Sequence, residues 1–449
     1  MVAVKVIQRP CGAGKTKEAV RRMAEVAGQG GTVLYVAPTV ALALQVRDWL
    51  ISEGVDSQRI VLSFGRRLFP RTCDDPNALL CPHLGEAPDT YCNTYCAFFP
   101  RCAYFSGKTY LHLAPPGVIV LTTLTYLVYN TPGSVRDLGV WNYDVVVYDD
   151  INRLLFVGKR PFSRYARPGL RCWVKMGGMD YGIIALYPGR ETIFLSATPP
   201  MDLLPLAFNM DREKFQVEVS YALRQQVTVS LLHLPMGRRF PKWSAPMQTC
   251  GFKKNTAEGL PYFQSSEGLG NWRGVPLKVV GSFQPPLQVY AIWAALLEKL
   301  TGHPHSVSLI PVILHFDNHK PIQSAMFGVR NARYYLCLLP PVHALAQLLG
   351  RAGIDVDTVY VGDIPLNFSV IHPDGAREVF QTAEKVVLEK TSDDVLEYLR
   401  RKHLVASALE GFIHQSFLQT EDAETRRYYG LMKKLITQAN AQKAQLLGG

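Results

Sequence analysis

The chain opens on a short β-branched run, Val4 to Ile7, followed at once by the turn-rich stretch Pro10-Cys11-Gly12-Ala13-Gly14. From Lys15 to Ala27 the apolar residues recur at helical spacing, with Val20, Met23 and Ala24 on one face, so the pattern predicts strand, loop and helix in that order. Tyr143 to Tyr148 is a continuous apolar, β-branched run ending in Asp149 and Asp150, and Thr192 to Leu195 is a second strand-like run ending in Ser196-Ala197-Thr198. Farther along, Lys278 to Phe283 predicts a strand, Leu287 to Leu300 an amphipathic helix and Tyr334 to Leu339 a buried strand. Val386 to Lys402 and Glu424 to Gln445 predict long helices with charged faces.

At 449 residues the chain is too long for one core and suits two α/β lobes with inserted or appended pieces. Hydrophobic residues at 48% and charged residues at 19% exclude long disordered tails. The formal charge of +11 favours an anionic polymer as partner through counterion release. No apolar stretch reaches the roughly 18 residues of a bilayer span. The start, MVAVKVIQRPCGAGKT, has turn residues where a signal peptide needs its apolar region, so a cytoplasmic protein with no membrane partner is expected.

The strand, glycine loop and helix at the start form the context of a nucleotide site. Gly12, Ala13 and Gly14 let backbone amides close around phosphate at a helix N-terminus, Lys15 neutralises the β- and γ-phosphates, and the Thr16 hydroxyl reaches Mg²⁺. Arg9 stands where the full Walker pattern has its first glycine. Such a site needs a carboxylate at the end of a neighbouring strand: Asp149 would hold Mg²⁺ through water, and Asp150 would orient the attacking water as general base. Asp150 is one methylene shorter than the more usual Glu. Of nine cysteines, Cys73, Cys81, Cys92, Cys96 and Cys102 fall in one short window, and clustering in an intracellular chain indicates metal before disulfide. Four thiolates suffice for an iron–sulfur cluster, zinc being the alternative, with His83 as another possible ligand.

These elements occur in the order seen in superfamily 2 helicases. Val33-Leu34-Tyr35-Val36-Ala37-Pro38-Thr39, with Leu42 and Gln45, resembles motif Ia, and the strand ending in Ser196-Ala197-Thr198 resembles motif III. The cysteine window, between motifs Ia and II and followed by Gly117 to Leu124, resembles the XPD and DinG type of iron–sulfur helicase. Either Cys73 or Cys81 would then be spare. That family carries a sizeable arch domain between motifs II and III, for which too little chain is present here. The gap instead holds Lys159, Arg160, Arg164, Arg167, Arg171 and Lys175 interleaved with Phe162, Tyr165 and Trp173, a composition equally suited to a single strand or to a solvated loop. Phe327 to Asn331 resembles a degenerate motif V, and Gln347-Leu348-Leu349-Gly350-Arg351-Ala352-Gly353 resembles motif VI, with Ile354 replacing its closing arginine.

The resemblance implies two RecA-like P-loop NTPase lobes. The first would span 1–70 and 106–205 around a cysteine-rich insertion at 71–105. A variable connection at 206–274, a second lobe at 275–375 and a helical C-terminal extension at 376–449 would follow. It implies ATP and Mg²⁺ as cofactors beside a [4Fe-4S] cluster, and single-stranded or forked nucleic acid, DNA before RNA, as substrate. Arg351 would act as an arginine finger and Gln347 as a γ-phosphate sensor. A monomer is expected, with a possible protein partner at the C-terminal helices. Two rival readings remain: an NTP-driven remodelling or packaging factor that does not unwind, and a metal-stabilised nucleic-acid-binding protein with a decayed ATP site, suggested by Arg9, Asp150 and Ile354.

Overall fold

A computed structural model of the chain describes residues 3–9, 13–65, 103–151, 154–158, 169–219, 226–231, 248–250, 274, 277–281, 285–336, 345, 349, 358–362, 366–381, 383–390, 392–410 and 422–448. The first half runs β1 (Val4–Gln8), α1 (Lys15–Gly28), β2 (Val33–Ala37), α2 (Val40–Ser52), β3 (Ile60–Ser63), α3 (Ala103–His112), β4 (Ile119–Thr123), α4 (Leu124–Asn130), α5 (Gly133–Leu138), β5 (Val145–Asp149), β6 (Leu155–Gly158), β7 (Leu170–Met176), β8 (Met179–Ile184), β9 (Glu191–Ser196), α6 (Leu204–Phe208) and β10 (Phe215–Val219). Seven of these strands form one parallel sheet in the order β10-β1-β9-β5-β2-β4-β3.

β2, β4 and β5 are buried at every position, as strands covered on both faces must be. One face packs Val20, Met23, Val46 and Leu50 of α1 and α2 against Val33, Tyr35, Val145 and Val147. The edge strand β3 is closed by α3, where a methyl at Gly107 would lie 2.4 Å from Leu62 O. β6, β7 and β8 stand apart as a three-stranded antiparallel sheet in the order β6-β8-β7.

The second half contains β11 (Gln226–Leu231), β12 (Gln248–Cys250), β13 (Leu277–Gly281), α7 (Leu287–Thr301), β14 (Ser306–Phe316), β15 (His319–Arg330), β16 (Tyr335–Leu336), β17 (Thr358–Gly362), β18 (Asn367–Ile371), β19 (Arg377–Gln381), β20 (Lys385–Leu388), α8 (Asp393–Glu410) and α9 (Ala423–Gly448). A second parallel sheet has the order β12-β13-β17-β11-β20. A five-stranded antiparallel sheet, β16-β15-β14-β18-β19, is built around the long β14–β15 hairpin. The whole is mixed α/β with two parallel sheets. Among the described residues no helix is long and apolar enough to cross a membrane.

Several expectations about the elements are corrected. The segment 206–274, expected to be a variable connection, supplies β10 to the first sheet and β11 to the interior of the second. Val227, Val229 and Leu231 alternate inward on β11, and strands this short and half polar give a weak signal. Val386–Lys402 is not one helix. Val386 and Leu388 face the second core from β20, and the helix begins only at Asp393, with Asp393 and Asp394 favouring its first turn. The segment 376–449 is therefore not wholly helical. Phe327–Arg330 lies inside β15, paired antiparallel with β14, and not at the end of a parallel strand where a nucleotide-site motif would sit. The buried strand expected over Tyr334–Leu339 is described only as Tyr335–Leu336, with Tyr334 exposed.

α7 joins the halves. Its residues Tyr290 to Leu297 are all buried, so it is covered on every side. Cys172 Sγ of β7 lies 3.4 Å from Leu296 O, and Lys299 Nζ donates to Trp173 O at 3.1 Å. On another side α9 contributes Ala439 and Leu446 to the same core.

Candidate functional site

β9 lies between β1 and β5 in the first sheet, with Gln8 opposite Ser196 and Asp149 opposite Leu195. The carboxyl ends of three parallel strands therefore open side by side, the position where open α/β sheets bind ligands. Gly12 lies outside the described residues. Ala13 and Gly14 lead into α1, where Gly14 is the N-cap at φ +81°, a left-handed conformation that favours glycine. Lys15 is buried, and its Nζ donates to Arg9 O at 2.9 Å. The ammonium is thus turned onto the backbone at the start of its own loop.

Asp149 is fully buried at the end of β5. Its Oδ2 accepts from Tyr35 Oη at 2.7 Å, while its Oδ1 has no hydrogen-bonding partner among the described residues. Burial, then the charge of Asp150, pushes the Asp149 carboxyl up. The Tyr35 phenol, the Thr16 hydroxyl and the Lys15 ammonium pull it back. The Tyr35 hydroxyl is held far above its ordinary range by burial and by Asp149. An anion this dry with an unsatisfied oxygen, beside a lysine and a threonine hydroxyl, is suited to a hard divalent cation with retained waters. Lys15, Thr16 and Asp149 therefore fit Mg²⁺ held against phosphate.

Asp150 turns the chain away from the sheet. It adopts φ +51°, uncommon for a residue with a Cβ although tolerated by Asp, and its N–H donates to Leu195 O at 2.8 Å. Next to it, Thr198 N–H donates to Ser196 Oγ at 3.0 Å, and Thr198 Oγ1 is buried with no partner among the described residues.

Tyr35 was not singled out from the sequence as a site residue. The available signal was one phenol in an otherwise aliphatic strand. Tyr35 pairs with Val147, so Asp149, two residues farther on, shares its face. Arg9, noted only as a departure from the phosphate-loop pattern, forms ion pairs with Glu18 and Glu218, the latter at 2.6 Å.

Gln347, Arg351 and the five cysteines Cys73, Cys81, Cys92, Cys96 and Cys102 lie outside the described residues, as do residues 159–168 of the basic and aromatic gap. Leu345 and Leu349, which flank Gln347, are buried in the core of the second sheet. Among the described residues no group of three or more His, Cys, Asp or Glu is placed to hold a metal ion. Of the gap residues that are described, Arg171 is not available to phosphates. Its guanidinium donates to Ala207 O at 2.7 Å and Leu186 O at 2.8 Å, and it stacks 4.8 Å from the Tyr187 ring. Trp173 is likewise packed under Lys299, at 5.2 Å.

No family model and no curated protein matches the chain. Among solved structures it is similar to the Hef helicase domain of Pyrococcus furiosus at 17% identity, covering 51% of this chain and 40% of that one, with a TM-score of 0.26. A structure titled XPD helicase matches at 12% identity over 80% of this chain and 92% of that one, TM-score 0.38. The Escherichia coli DEAH/RHA helicase HrpB matches at 13% identity over 81% and 40%, TM-score 0.31. Likenesses this low leave any functional reading to rest on the chain's own residues.

Proposed function

We propose that the chain is an ATP-driven motor of the superfamily 2 helicase type acting on nucleic acid. The observation that carries this reading is the placement of Lys15 and Thr16 beside a fully buried Asp149 with an unsatisfied oxygen, across a single intervening strand. Mg²⁺ would neutralise developing charge on the β- and γ-phosphates. The residues do the rest: Lys15 leaves the Arg9 carbonyl for phosphate, Thr16 and Asp149 fix the metal side, and Asp150 orients the attacking water. Thr198 follows the strand between them, in position to report the state of the site to the adjoining loop.

In the same reading Gln347 would sense the γ-phosphate, Arg351 would act as an arginine finger, and four of the five clustered cysteines would hold a [4Fe-4S] cluster, or zinc. Net charge supports an anionic polymer, with DNA the preferred substrate.

The test is ATP hydrolysis by anaerobically purified protein with and without single-stranded DNA, beside Lys15→Ala. Stimulation by DNA, with a loss on the order of a hundredfold in the variant, is the expected result. Hydrolysis without release of an annealed strand would identify a remodelling factor. Absence of hydrolysis from a folded, metal-loaded protein would favour the binding protein with a decayed site. Metal analysis of the same sample should give iron with a broad absorption near about 400 nm, and zinc without iron would exclude the cluster.

A further inference from the structure

We propose that Arg9 is a positioning residue of the nucleotide site, an ion-pair clamp that stands in for the missing loop glycine and fixes the carbonyl on which Lys15 rests. The proposal rests on the nucleotide-site reading above. Its geometry is independent of the loop's interior. The Arg9 N–H donates to Ser196 O at 3.2 Å, and its carbonyl accepts from Lys15 Nζ at 2.9 Å. Its guanidinium reaches Glu18 in the first turn of α1 and, at 2.6 Å, Glu218 on β10. Glu218 is itself held by Lys5 of β1 at 3.0 Å. One residue thus ties the phosphate-loop strand, the helix after the loop, the Ser196 strand end and the outer strand β10.

A glycine at position 9 would leave this peptide to sample many orientations, and a nucleotide would have to order it on binding. The clamp removes that freedom in advance. It also sets the charge balance: with two carboxylates on its guanidinium, Arg9 is neutralised and does not compete with Lys15 for phosphate. The hydrogen bond that Lys15 makes to the Arg9 carbonyl is to a neutral acceptor, which phosphate displaces because the anion makes the stronger, charge-assisted bond. β10, which carries no recognisable site motif, becomes part of the nucleotide site through Glu218.

A rival role for the same side chain is direct phosphate binding, and the two differ in sign at Glu218. A clamp is weakened when Glu218 loses its charge, whereas a phosphate ligand is freed by that loss. The experiment measures binding of a fluorescent ADP analogue and steady-state hydrolysis for wild type, Arg9→Gly, Arg9→Lys, Glu218→Gln, the Arg9→Gly/Glu218→Gln double variant and Lys15→Ala, with thermal melting of each.

The clamp predicts about three- to tenfold weaker binding for Arg9→Gly and Glu218→Gln, a raised KM with kcat nearly kept, partial recovery in Arg9→Lys, and a double variant no worse than Arg9→Gly alone. High salt should narrow the gap from wild type. Tighter binding in Glu218→Gln, additive losses, or wild-type binding in both single variants would overturn the clamp. If Lys15→Ala binds the analogue as well as wild type does, the nucleotide-site reading itself fails.

Discussion

Tyr35 and Asp149 form a buried pair in which the phenol holds one carboxylate oxygen and leaves the other open. Tyr35→Phe removes the donor with little change in packing volume and leaves the buried carboxylate with the Thr16 hydroxyl as its remaining side-chain donor. The expected cost is about 1–3 kcal/mol of stability by denaturant titration, with a several-fold higher Mg²⁺ concentration for half-maximal hydrolysis. Asp150→Asn retains a side chain that tolerates φ +51° while removing the carboxylate proposed to orient the attacking water. Hydrolysis should fall about 10²–10⁴-fold, with binding of the ADP analogue nearly unchanged.

Lys15, Thr16 and Asp149 could be singled out in the sequence because they follow strand-like apolar runs, and the fold brings the three together. Tyr35 could not be, because its role depends on which strand lies beside β2, and sheet order is absent from local pattern. Arg9 was visible only as a mismatch, since Glu218 is remote in sequence and becomes its neighbour only when β10 pairs with β1.

Among elements, the β14–β15 hairpin departs furthest from the sequence reading. Along β14, Val307 and Leu309 lie on one face and Ile310, Val312 and Leu314 on the other, in the core of the second parallel sheet, each set keeping the two-residue period of a strand. Its two-residue turn, Asp317-Asn318, lacks the glycine that usually announces a hairpin. That turn caps the edge of the second sheet. Asn318 Nδ2 donates to Leu388 O at 2.9 Å and its Oδ1 accepts from Leu388 N at 2.8 Å, while Asp317 Oδ2 accepts from Val386 N at 2.6 Å. Side chains thus occupy the hydrogen-bonding groups that an exposed edge strand would offer to another chain. Asn318→Ala should cost about 1–3 kcal/mol, and light scattering on mild heating should show earlier association than in wild type. Unchanged melting and scattering would remove the edge-cap role from Asn318.

At the scale of the whole molecule, charge acts between the halves: the Asp202 carboxyl, in the turn after Ser196-Ala197-Thr198, is pushed up to about 7 by burial and by repulsion from Glu378 on β19, with Arg212 acting in the opposite direction. Because the folded value lies above the unfolded one, the folded protein binds the extra proton between about pH 4 and 7, and stability falls as pH rises through that window. Asp202→Asn should therefore gain on wild type as pH rises from about 4 to 8, the difference in melting temperature changing most between about pH 4 and 7 and levelling off below about pH 4. A gap independent of pH would show that Asp202 does not titrate in this way.

The halves also meet in the apolar surround of α7. Leu296→Ala, at a fully buried position, should cost about 2–5 kcal/mol, with both halves losing protection together in hydrogen exchange.

That shared helix has a consequence for how the chain is made. The β7–β8 face that α7 covers is synthesised well before residues 287–301, and α9, which closes the far side of α7, more than a hundred residues after α7. A nascent chain paused between these points carries an apolar face whose cover has not yet been translated, the condition under which multidomain proteins aggregate or recruit chaperones. The two halves therefore cannot mature one after the other as independent units, and final burial of the first waits on translation of the second.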